Sequence, residues 1–458
     1  MSAGPEADLA VDLAIVGGGA AGALVAMQVL ATRPGLRIAM IEPRAVLARG
    51  VAYSTPRDEH LLNVPAGRMS CDPLRPNDFV AWLHAQPGMA AEQMETCYVA
   101  RRRYGDYLAE RLAEAARRGR LLHLRERAVG CDAEGVVITL DSGRRVVAGA
   151  CVLATGNAPR GLPLPVPPAV ASRVCAAWDS AAITAIPRGD DVVIVGTGLS
   201  MVDVVLALHA QGHRGRILAL SRRALLPLPH ASAGTVDVDI ASLAALPLRA
   251  RVRRLRVLAA TVVARGAPWQ WLMQGLRPYG TLLWQTLSHE DRARFLRHLA
   301  RHWDAHRHRI APEVASTIDR LRASAQLEVV PARLRRIEAC AGGIAIEAHG
   351  AGLAYRVGRI VNATGIALQF PAPGDPLQNA LQRAGLARSG AMGMGLDADD
   401  DGAVRDHLGR PSGRLFAIGS LRIGQEWESV AIPELRAQAV RIATRLRAAG
   451  GPLALARS

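Results

Sequence analysis

Two short apolar runs in this chain each lead through a glycine-rich turn into a longer apolar stretch. The first is LAIVGGGAAGAL at 13–24, and the second is VVIVGTGLSMVD at 192–203. A short apolar run bounded by glycine and followed by helical spacing is typical of a buried parallel strand that turns into a helix. The pattern predicts two such units, with strands Val11–Val16 and Val192–Val195 and helices Ala20–Leu30 and Ser200–His209.

The first turn matches the spacing of a dinucleotide-binding loop. Gly17 permits the tight turn, Gly19 lets the backbone approach a pyrophosphate, and Gly22 lets the helix pack closely on the strand. A further predicted strand, Leu36–Ile41, ends in Glu42, 20 residues past Gly22, where an acid accepts the hydroxyls of an adenosine ribose. The predicted contacts of this first nucleotide are Gly17, Gly19, Ala20, Ala21, Gly22 and Glu42.

The second turn departs from the first at its third glycine position. Gly196 and Gly198 occupy the first two positions, and Met201 occupies the third. A side chain there holds the helix slightly further from the strand, which weakens the fingerprint without removing the phosphate site. Gly196, Gly198, Leu199 and Ser200 are the predicted contacts of the second nucleotide at this turn.

The strand after each turn ends in residues of different charge. Glu42 lies 25 residues after Gly17, whereas the residue 25 positions after Gly196 is Ser221, followed at once by Arg222 and Arg223. A carboxylate repels a ribose 2′-phosphate, and a hydroxyl beside guanidinium groups accepts one. The sequence therefore predicts NADPH at the second turn. The alternative is that both arginines are ordinary surface residues of an arginine-rich chain.

Two further strands run into the tripeptide Ala-Thr-Gly. They are CVLATGN at 151–157 and RIVNATG at 359–365, and small residues there let the chain cross close to a cofactor. The tripeptides add contacts at Thr155, Gly156, Thr364 and Gly365. Two dinucleotide sites with different ribose preferences predict a flavin, as FAD, brought face to face with NADPH.

The predicted fold class is α/β, with two Rossmann-like domains, one inserted in the other. The FAD domain covers 10–160 and 352–446, and the NADPH domain covers 165–350. The proline-rich segment PRGLPLPVPP at 159–168 is the predicted linker, because prolines stop helices and stiffen a crossing.

The second domain is predicted to carry a helical insertion at 238–325, forming a cap over the cleft. Its tryptophans follow helical spacing, which indicates a packed core; a substrate box is the alternative. Residues 327–331 and 344–348 are predicted to return as strands that complete the sheet, and the segment starting at Ile432 is predicted to form the closing helix.

Composition changes this picture little. The 458 residues suffice for two or three domains, and the net charge is +16, carried entirely by arginine. The absence of lysine is typical of codon bias, the arginines are scattered, and no nucleic-acid motif accompanies them, so a nucleic-acid partner is not predicted. The alternative interpretation of the net positive charge is that it creates an electrostatic field that attracts anionic NADPH.

Cysteine usage and the N-terminal segment predict a cytoplasmic protein. The six cysteines form neither a C-x-x-C pair nor a metal-ligand spacing, so neither a redox disulfide nor a metal site is predicted. The first 12 residues include acidic residues and no basic one, which argues against a signal peptide. The uncharged run 13–32 has the length of a membrane span, but its glycines favour the nucleotide turn.

Three longer motifs resemble one family. GVAYSTPRDEHLLNVPAGRMS at 50–70, HWDAHRHRIAPEV at 302–314 and EWESVAIPELRAQA at 426–439 are similar to the bacterial FAD/NAD(P)-binding family, whose members are distantly similar to amine N-hydroxylating monooxygenases. The resemblance implies FAD contacts at Gly17, Gly19, Glu42, Thr155 and Gly419, and places Asn63 and Val64 beside the flavin ring. Where many flavoproteins have Asp after that late glycine, this chain has Ser420, which still offers a hydroxyl.

The predicted activity is oxygenation of a nitrogen, or another soft nucleophile, of a small amine or amino acid through a flavin hydroperoxide. Molecular oxygen is then a further reactant, and the flavin performs the difficult step. Asn63, Arg68 and Glu428 are the candidate catalytic residues, and the candidate substrate contacts are Trp427, Glu428, His308 and Arg309. Capping of the last helix is the alternative role of Glu428, and a solvated helical face is the alternative for the histidine–arginine pair.

Two other functions remain open at this stage. One is an NADPH-dependent reductase or dehydrogenase that inserts no oxygen, although the lack of a cysteine pair argues against a disulfide reductase. The other is a redox sensor that binds both nucleotides without catalysis.

Overall fold

A computed structural model describes residues 8–88, 93–132, 136–349 and 353–448. Most of the acidic N-terminal segment and the predicted domain boundary at 350–352 lie outside these residues. Within them, no helix combines the length and apolarity needed to cross a bilayer, and no cluster of His, Cys, Asp and Glu is arranged to hold a metal ion.

The first part of the chain forms most of one sheet. Its strands are β1 (Leu9–Val16), β2 (Arg37–Ile41), β3 (Arg120–Leu124), β4 (Ala128–Cys131), β5 (Val137–Leu140) and β6 (Arg145–Leu153). Its helices are α1 (Ala20–Thr32), α2 (Asp78–His84) and α3 (Arg101–Ala116). In space β3, β2, β1 and β6 lie side by side and parallel, and β4 and β5 extend from β6 as an antiparallel ribbon.

The middle of the chain forms a second sheet. A short connecting strand, β7 (Ala158–Pro159), leads into it. Its elements before the helical insertion are β8 (Val174–Ala176), α4 (Ser180–Thr184), β9 (Val192–Val195), α5 (Leu199–Ala210) and β10 (Ile217–Ser221). After the insertion come α12 (Pro312–Ala323), β11 (Leu327–Pro331), β12 (Arg333–Cys340), β13 (Gly343–His349), β14 (Leu353–Val357), β15 (Arg359–Asn362) and β16 (Ile366–Ala367). All strands of the second sheet are parallel, in the order β11, β10, β9, β15, β8.

The helical insertion is shorter than predicted. Its helices are α6 (Ile240–Ala244), α7 (Leu248–Ala264), α8 (Gln270–Leu276), α9 (Gly280–Gln285), α10 (His289–His298) and α11 (Ala300–Arg307), which we call the cap. The prediction extended the insertion to residue 325, but α12 packs on α5 and leads directly into β11. Its apolar face is needed to cover the second sheet, so α12 belongs to the nucleotide fold.

Two predictions about the second sheet are wrong. Residues 344–348 do not complete it, because β13 pairs antiparallel with β12 and β14 in a separate small sheet that covers one of its faces. Residues 359–362 were placed in the FAD domain, but β15 pairs with β9 and β8. The second domain therefore ends near β16, which pairs with β7 where the chain crosses between the sheets.

The last part of the chain returns to the first sheet. Its elements are α13 (Pro376–Arg383), β17 (Ala403–Arg405), β18 (Pro411–Ala417), α14 (Ile423–Glu426) and α15 (Ile432–Ala448). β18 lies parallel to β6, and α15 packs with α1 and α3 on one buried face of the sheet. The first domain is thus built from both ends of the chain.

The cap arises from the second domain but also packs on the first. The indole N–H of Trp284 donates to the carbonyl of Gly424 at 2.8 Å, and Trp284 stacks on Trp427 with ring centroids 5.1 Å apart. Trp284 is thus part of a packed core that joins the cap to residues 423–428 of the first domain. The other cap tryptophans are half-buried: Trp269 and Trp303 pack against a second core within the cap, and Trp271 lies outside both cores.

Candidate functional site

The first glycine turn lies between β1 and α1 and is sterically restricted to glycine. Gly17 has a φ of +109°, and a Cβ there would lie 2.2 Å from the carbonyl oxygen of Ala154. A Cβ on Gly22 would lie 2.1 Å from the carbonyl oxygen of Gly17. The helix begins at Ala20, and within the described residues no side chain caps it. Its first N–H groups can therefore bind an anion.

Glu42 lies at the end of β2, beside this turn, and is 8 % exposed. Its Oε2 accepts a hydrogen bond from the N–H of Gly18 at 3.0 Å, and its Oε1 accepts one from the N–H of Arg44 at 3.1 Å. The carboxylate is therefore held at the edge of the loop, where the sequence placed it for a ribose.

The ends of β6 and β18 bring two more predicted contacts to the same place. A Cβ on Gly419 would lie 3.8 Å from the Cβ of Ala21, so the two segments adjoin. The hydroxyl oxygens of Thr155 and Ser420 are buried and have no hydrogen-bond partner among the described residues. Since buried hydroxyls are normally paired, both fit contacts to a polar ligand. The residues present thus fit a dinucleotide, including the serine that replaces the expected aspartate.

A cavity of about 380 Å³ opens beside the segment 51–70, and we call it the Arg309 cavity. Asn63, Val64, Arg68, His308 and Arg309 all line it, so the structure brings together five of the predicted residues. The carbonyl of Asn63 accepts a hydrogen bond from His230 Nε2 at 3.0 Å. Burial is the largest cause that lowers the pKa of His230 to about 4, so its imidazole is neutral at pH 7.

The second glycine turn repeats the backbone of the first. Gly196 has a φ of +119°, and a Cβ there would lie 2.1 Å from the carbonyl oxygen of Ala363. Gly198 precedes α5 and has open space around it. Met201, at the third position, is fully buried in the core of the second domain.

The tip of β10 differs from that of β2. Ser221 Oγ lies 2.9 Å from Thr197 Oγ1 and accepts a hydrogen bond from the N–H of Ala224 at 2.9 Å. The side chain that corresponds to Glu42 is therefore a neutral hydroxyl tied to the turn. Arg222 and Arg223 follow it and are exposed.

These residues line a larger space of about 740 Å³, which we call the second-turn cleft. Gly196, Gly198, Leu199, Ser200, Ser221, Arg222, Arg223, Thr364 and Gly365 all line it. Arg160 and Arg301 line it as well, and neither was predicted to be a site residue. Burial, followed by the charges of Arg301 and Arg222, lowers the pKa of Arg160. The cleft therefore carries a cluster of guanidinium groups.

The second Ala-Thr-Gly has a different environment from the first. The Thr364 hydroxyl donates to Asn362 Oδ1 at 2.7 Å and lies 3.2 Å from the carbonyl oxygen of Arg160. Thr364 and Gly365 line the second-turn cleft rather than the first nucleotide site. Here the tripeptide supports the second turn and holds the linker strand.

The Arg309 cavity and the second-turn cleft meet. They share the lining residues Trp178, Leu199, Ser200, His308 and Val430. The indole N–H of Trp178 donates to Ser200 Oγ at 3.3 Å. Groups bound in the two spaces can therefore approach each other at this common wall, and Trp178 is a residue that sequence reasoning missed.

Glu428 is engaged by the cap. Its Oε1 accepts from the indole N–H of Trp303 and its Oε2 from Arg307 Nε, each at 2.7 Å. Neither oxygen caps the last helix in these contacts, and Glu428 also lines the second-turn cleft, so its role toward a substrate stays a prediction. Trp427 stacks on Trp284 of the cap and also lines the second-turn cleft. Both residues join the cap to the first domain.

Comparison with known proteins agrees with this architecture. Residues 14–158 match the model of a family described as FAD-NAD(P)-binding. The match covers the N-terminal part of the first domain. This match confirms the predicted resemblance and the predicted use of FAD together with a nicotinamide dinucleotide. No curated protein sequence matches the chain.

Solved structures of the same fold cover nearly the whole chain. An ornithine N-hydroxylase from Kutzneria sp. 744 has a TM-score of 0.67 at 14 % identity, over 96 % of this chain and 99 % of that one. An L-lysine 6-monooxygenase from Pseudomonas syringae has a TM-score of 0.67 at 16 % identity, over 96 % and 100 %. An ornithine hydroxylase from Pseudomonas aeruginosa has a TM-score of 0.64 at 16 % identity, over 96 % and 100 %. The predicted α/β fold with two nucleotide-binding domains is confirmed.

Proposed function

We propose that this chain is an FAD- and NADPH-dependent monooxygenase that oxygenates a nitrogen, or another soft nucleophilic atom, of a small amine or amino acid. The observation that carries the proposal is the common wall of the Arg309 cavity and the second-turn cleft. A nicotinamide held by the second turn and a flavin held by the first can meet there. The fold shared with ornithine and lysine hydroxylases supports the same reaction class.

The first turn holds FAD in this proposal. Gly17, Gly19 and the start of α1 take the pyrophosphate, and Glu42 takes the adenosine ribose. The unpaired hydroxyls of Thr155 and Ser420 bind further along the cofactor, and Asn63 and Val64 lie beside its ring.

The second turn holds NADPH. Gly196, Gly198, Leu199 and Ser200 take the pyrophosphate, and Ser221 leaves room for a 2′-phosphate bound by Arg222 and Arg223. Arg160 and Arg301 add positive charge to the same cleft.

Bound FAD supplies hydride acceptance from NADPH and the activation of oxygen. The net reaction is R–NH2 + O2 + NADPH + H⁺ → R–NHOH + NADP⁺ + H2O, in which one oxygen atom enters the new N–O bond and the other leaves as water. The chain's own tasks are orientation and exclusion of water. Trp178 and Ser200 position the nicotinamide at the common wall, and the cap limits the access of water to the Arg309 cavity.

The test measures four quantities on the purified FAD-loaded protein: NADPH consumed, oxygen consumed, peroxide released and hydroxylated product formed. A panel of small amines and amino acids is screened for faster NADPH oxidation. We expect one substrate class to raise NADPH oxidation and to give product in near one-to-one ratio with NADPH.

The two rival functions give other results. Equal amounts of peroxide and NADP⁺ with every compound, together with transfer of electrons to an added acceptor, identify a reductase. A protein that keeps FAD but never consumes NADPH identifies a sensor, and either outcome contradicts the proposal.

A further inference from the structure

The Arg309 cavity has more positive than negative groups on its wall. Its arginines are Arg68, Arg101, Arg277, Arg307 and Arg309. Three of them are paired: Arg101 with Asp203 at 2.7 Å, Arg277 with Glu434 at 3.4 Å and Arg307 with Glu428 at 2.7 Å. Asp203 is the sole acidic residue among the described residues that line the cavity, and both its oxygens bind Arg101.

Arg68 and Arg309 have no carboxylate partner among the described residues. Arg68 is exposed at the cavity and donates to Gln274 Oε1 at 3.1 Å. Arg309 is 4 % exposed; its Nη1 donates to the carbonyl of Gln270 at 3.3 Å, and its Nε is buried without a hydrogen-bond partner. A buried cation without a counter-ion is costly, and a bound anion removes that cost.

The electrostatics of neighbouring groups agree. Burial, followed by the charge of Arg307, lowers the pKa of Arg309 to about 10, and Arg277 and Arg68 contribute to the same shift. Arg309 therefore remains a cation at pH 7. Burial also lowers the pKa of His308 and of His230, which favours the neutral form of both imidazoles.

We propose that the substrate of this site is a carboxylate whose acid group is bound by Arg68 and Arg309, and that no described residue of the cavity wall offers an unpaired anion to a second, charged amino group. The inference rests on the proposed function and narrows it. The substrate is a nitrogen-bearing carboxylic acid with a single amine. Ornithine or lysine would instead bring an α-ammonium into a cavity in which Asp203, the one carboxylate among the described lining residues, is already paired.

The test is equilibrium binding to the oxidised, FAD-loaded protein. Binding is measured by calorimetry and by the change in flavin absorption. Four compounds with five-carbon chains differ in whether they carry a carboxylate, an amine or both: pentanoate, 5-aminopentanoate, 1-aminopentane and L-ornithine. We expect pentanoate and 5-aminopentanoate to bind, 1-aminopentane not to bind, and L-ornithine to bind more weakly than 5-aminopentanoate.

Two substitutions locate the acid group. Arg68→Gln and Arg309→Gln should each weaken pentanoate binding about 10- to 100-fold, which is the usual effect of losing one charge-assisted hydrogen-bonding partner. Arg309→Lys should restore part of the affinity. Arg256→Gln is the matched control, because this exposed residue of α7 lines neither space, and it should leave binding unchanged.

Tighter binding of 1-aminopentane than of pentanoate overturns the inference. So does unchanged pentanoate affinity in Arg68→Gln, a change at an exposed position that leaves the fold intact. A slower flavin reduction in Arg309→Gln with unaltered pentanoate affinity would assign Arg309 to the cofactor instead. Failure of the proposed function is seen separately, as carboxylate binding by a protein that never oxidises NADPH.

Discussion

The two glycine turns share a backbone and differ at the strand tip. In both turns the first glycine has a positive φ and lies against the carbonyl oxygen of the alanine in an Ala-Thr-Gly tripeptide. A Cβ added to Gly17 would lie 2.2 Å from the oxygen of Ala154, and one added to Gly196 would lie 2.1 Å from the oxygen of Ala363. The strand order around the turn is also the same in the two sheets. β1 lies between β2 and β6, and β9 lies between β10 and β15. The tips carry a buried carboxylate in one case and a hydroxyl followed by two arginines in the other. The shared backbone is that of a glycine turn suited to a nucleotide, and in the proposed function the strand tip selects which nucleotide binds.

Substitution of the first glycines should give the largest effects and should separate the two sites. Gly17→Ala places a Cβ against Ala154, so we expect loss of FAD and a fall of about 2–4 kcal/mol in the free energy of unfolding. Gly196→Ala should retain FAD but lose NADPH-driven flavin reduction. Flavin content, urea unfolding and single-turnover reduction measure these outcomes.

Gly413→Ala is the control for both glycine variants, because its added Cβ meets nothing within 4 Å. If Gly196→Ala lost FAD while Gly17→Ala retained it, the assignment of the two turns would be reversed.

The third position of each turn should respond differently. A Cβ on Gly22 lies 2.1 Å from the Gly17 carbonyl, so Gly22→Ala should displace α1 and lower FAD content sharply. Met201→Ala removes a buried side chain and should cost about 2–5 kcal/mol of stability while leaving the affinity for NADPH within about threefold. Equal loss of nucleotide binding in both variants would show that Met201 shapes the phosphate site.

The two threonines of Ala-Thr-Gly give a smaller contrast. The Thr155 hydroxyl has no partner in the described protein, so Thr155→Val should leave the FAD-free protein as stable as before and weaken FAD binding about tenfold. The Thr364 hydroxyl bonds to Asn362, so Thr364→Val should cost about 1 kcal/mol without changing FAD content. Calorimetry with and without FAD distinguishes them.

Salt should produce the smallest effect, and at one site only. Arg222 and Arg223 are exposed, so a rise from about 50 to about 300 mM NaCl should raise the KM for NADPH several-fold and that for NADH little. FAD content should stay constant, because Glu42 is buried. An equal salt response of both coenzymes would mean that the arginines do not bind the extra phosphate.

Local pattern sufficed to predict the turns, the strand tips and their charges, since these depend on residues close together along the chain. Gly17, Glu42, Gly196 and Ser221 all occupy the places that their spacing indicated. Helical spacing also predicted the buried position of Trp284 in the cap, whereas the other cap tryptophans are half-buried.

Long-range pairing was beyond that reasoning. The strand at 359–362 is apolar and short, and nothing in its residues indicates that it pairs with β9 rather than with β6. The same holds for Arg160, Arg277 and Arg301, because in a chain whose only basic side chain besides histidine is arginine, composition does not distinguish a cleft residue from a surface one. The hydrogen-bond partners of Glu428 lie in the cap, 125 and 121 positions away along the chain, so its local sequence did not indicate them.

The most direct test of the account is the coenzyme preference of the Arg222→Ser/Arg223→Ser double variant, measured as the ratio of kcat/KM for NADPH to that for NADH. The intact protein should prefer NADPH, and the double variant should lower this ratio about 10- to 100-fold with FAD content unchanged. An unaltered ratio would contradict the claim that the two strand tips select different nucleotides.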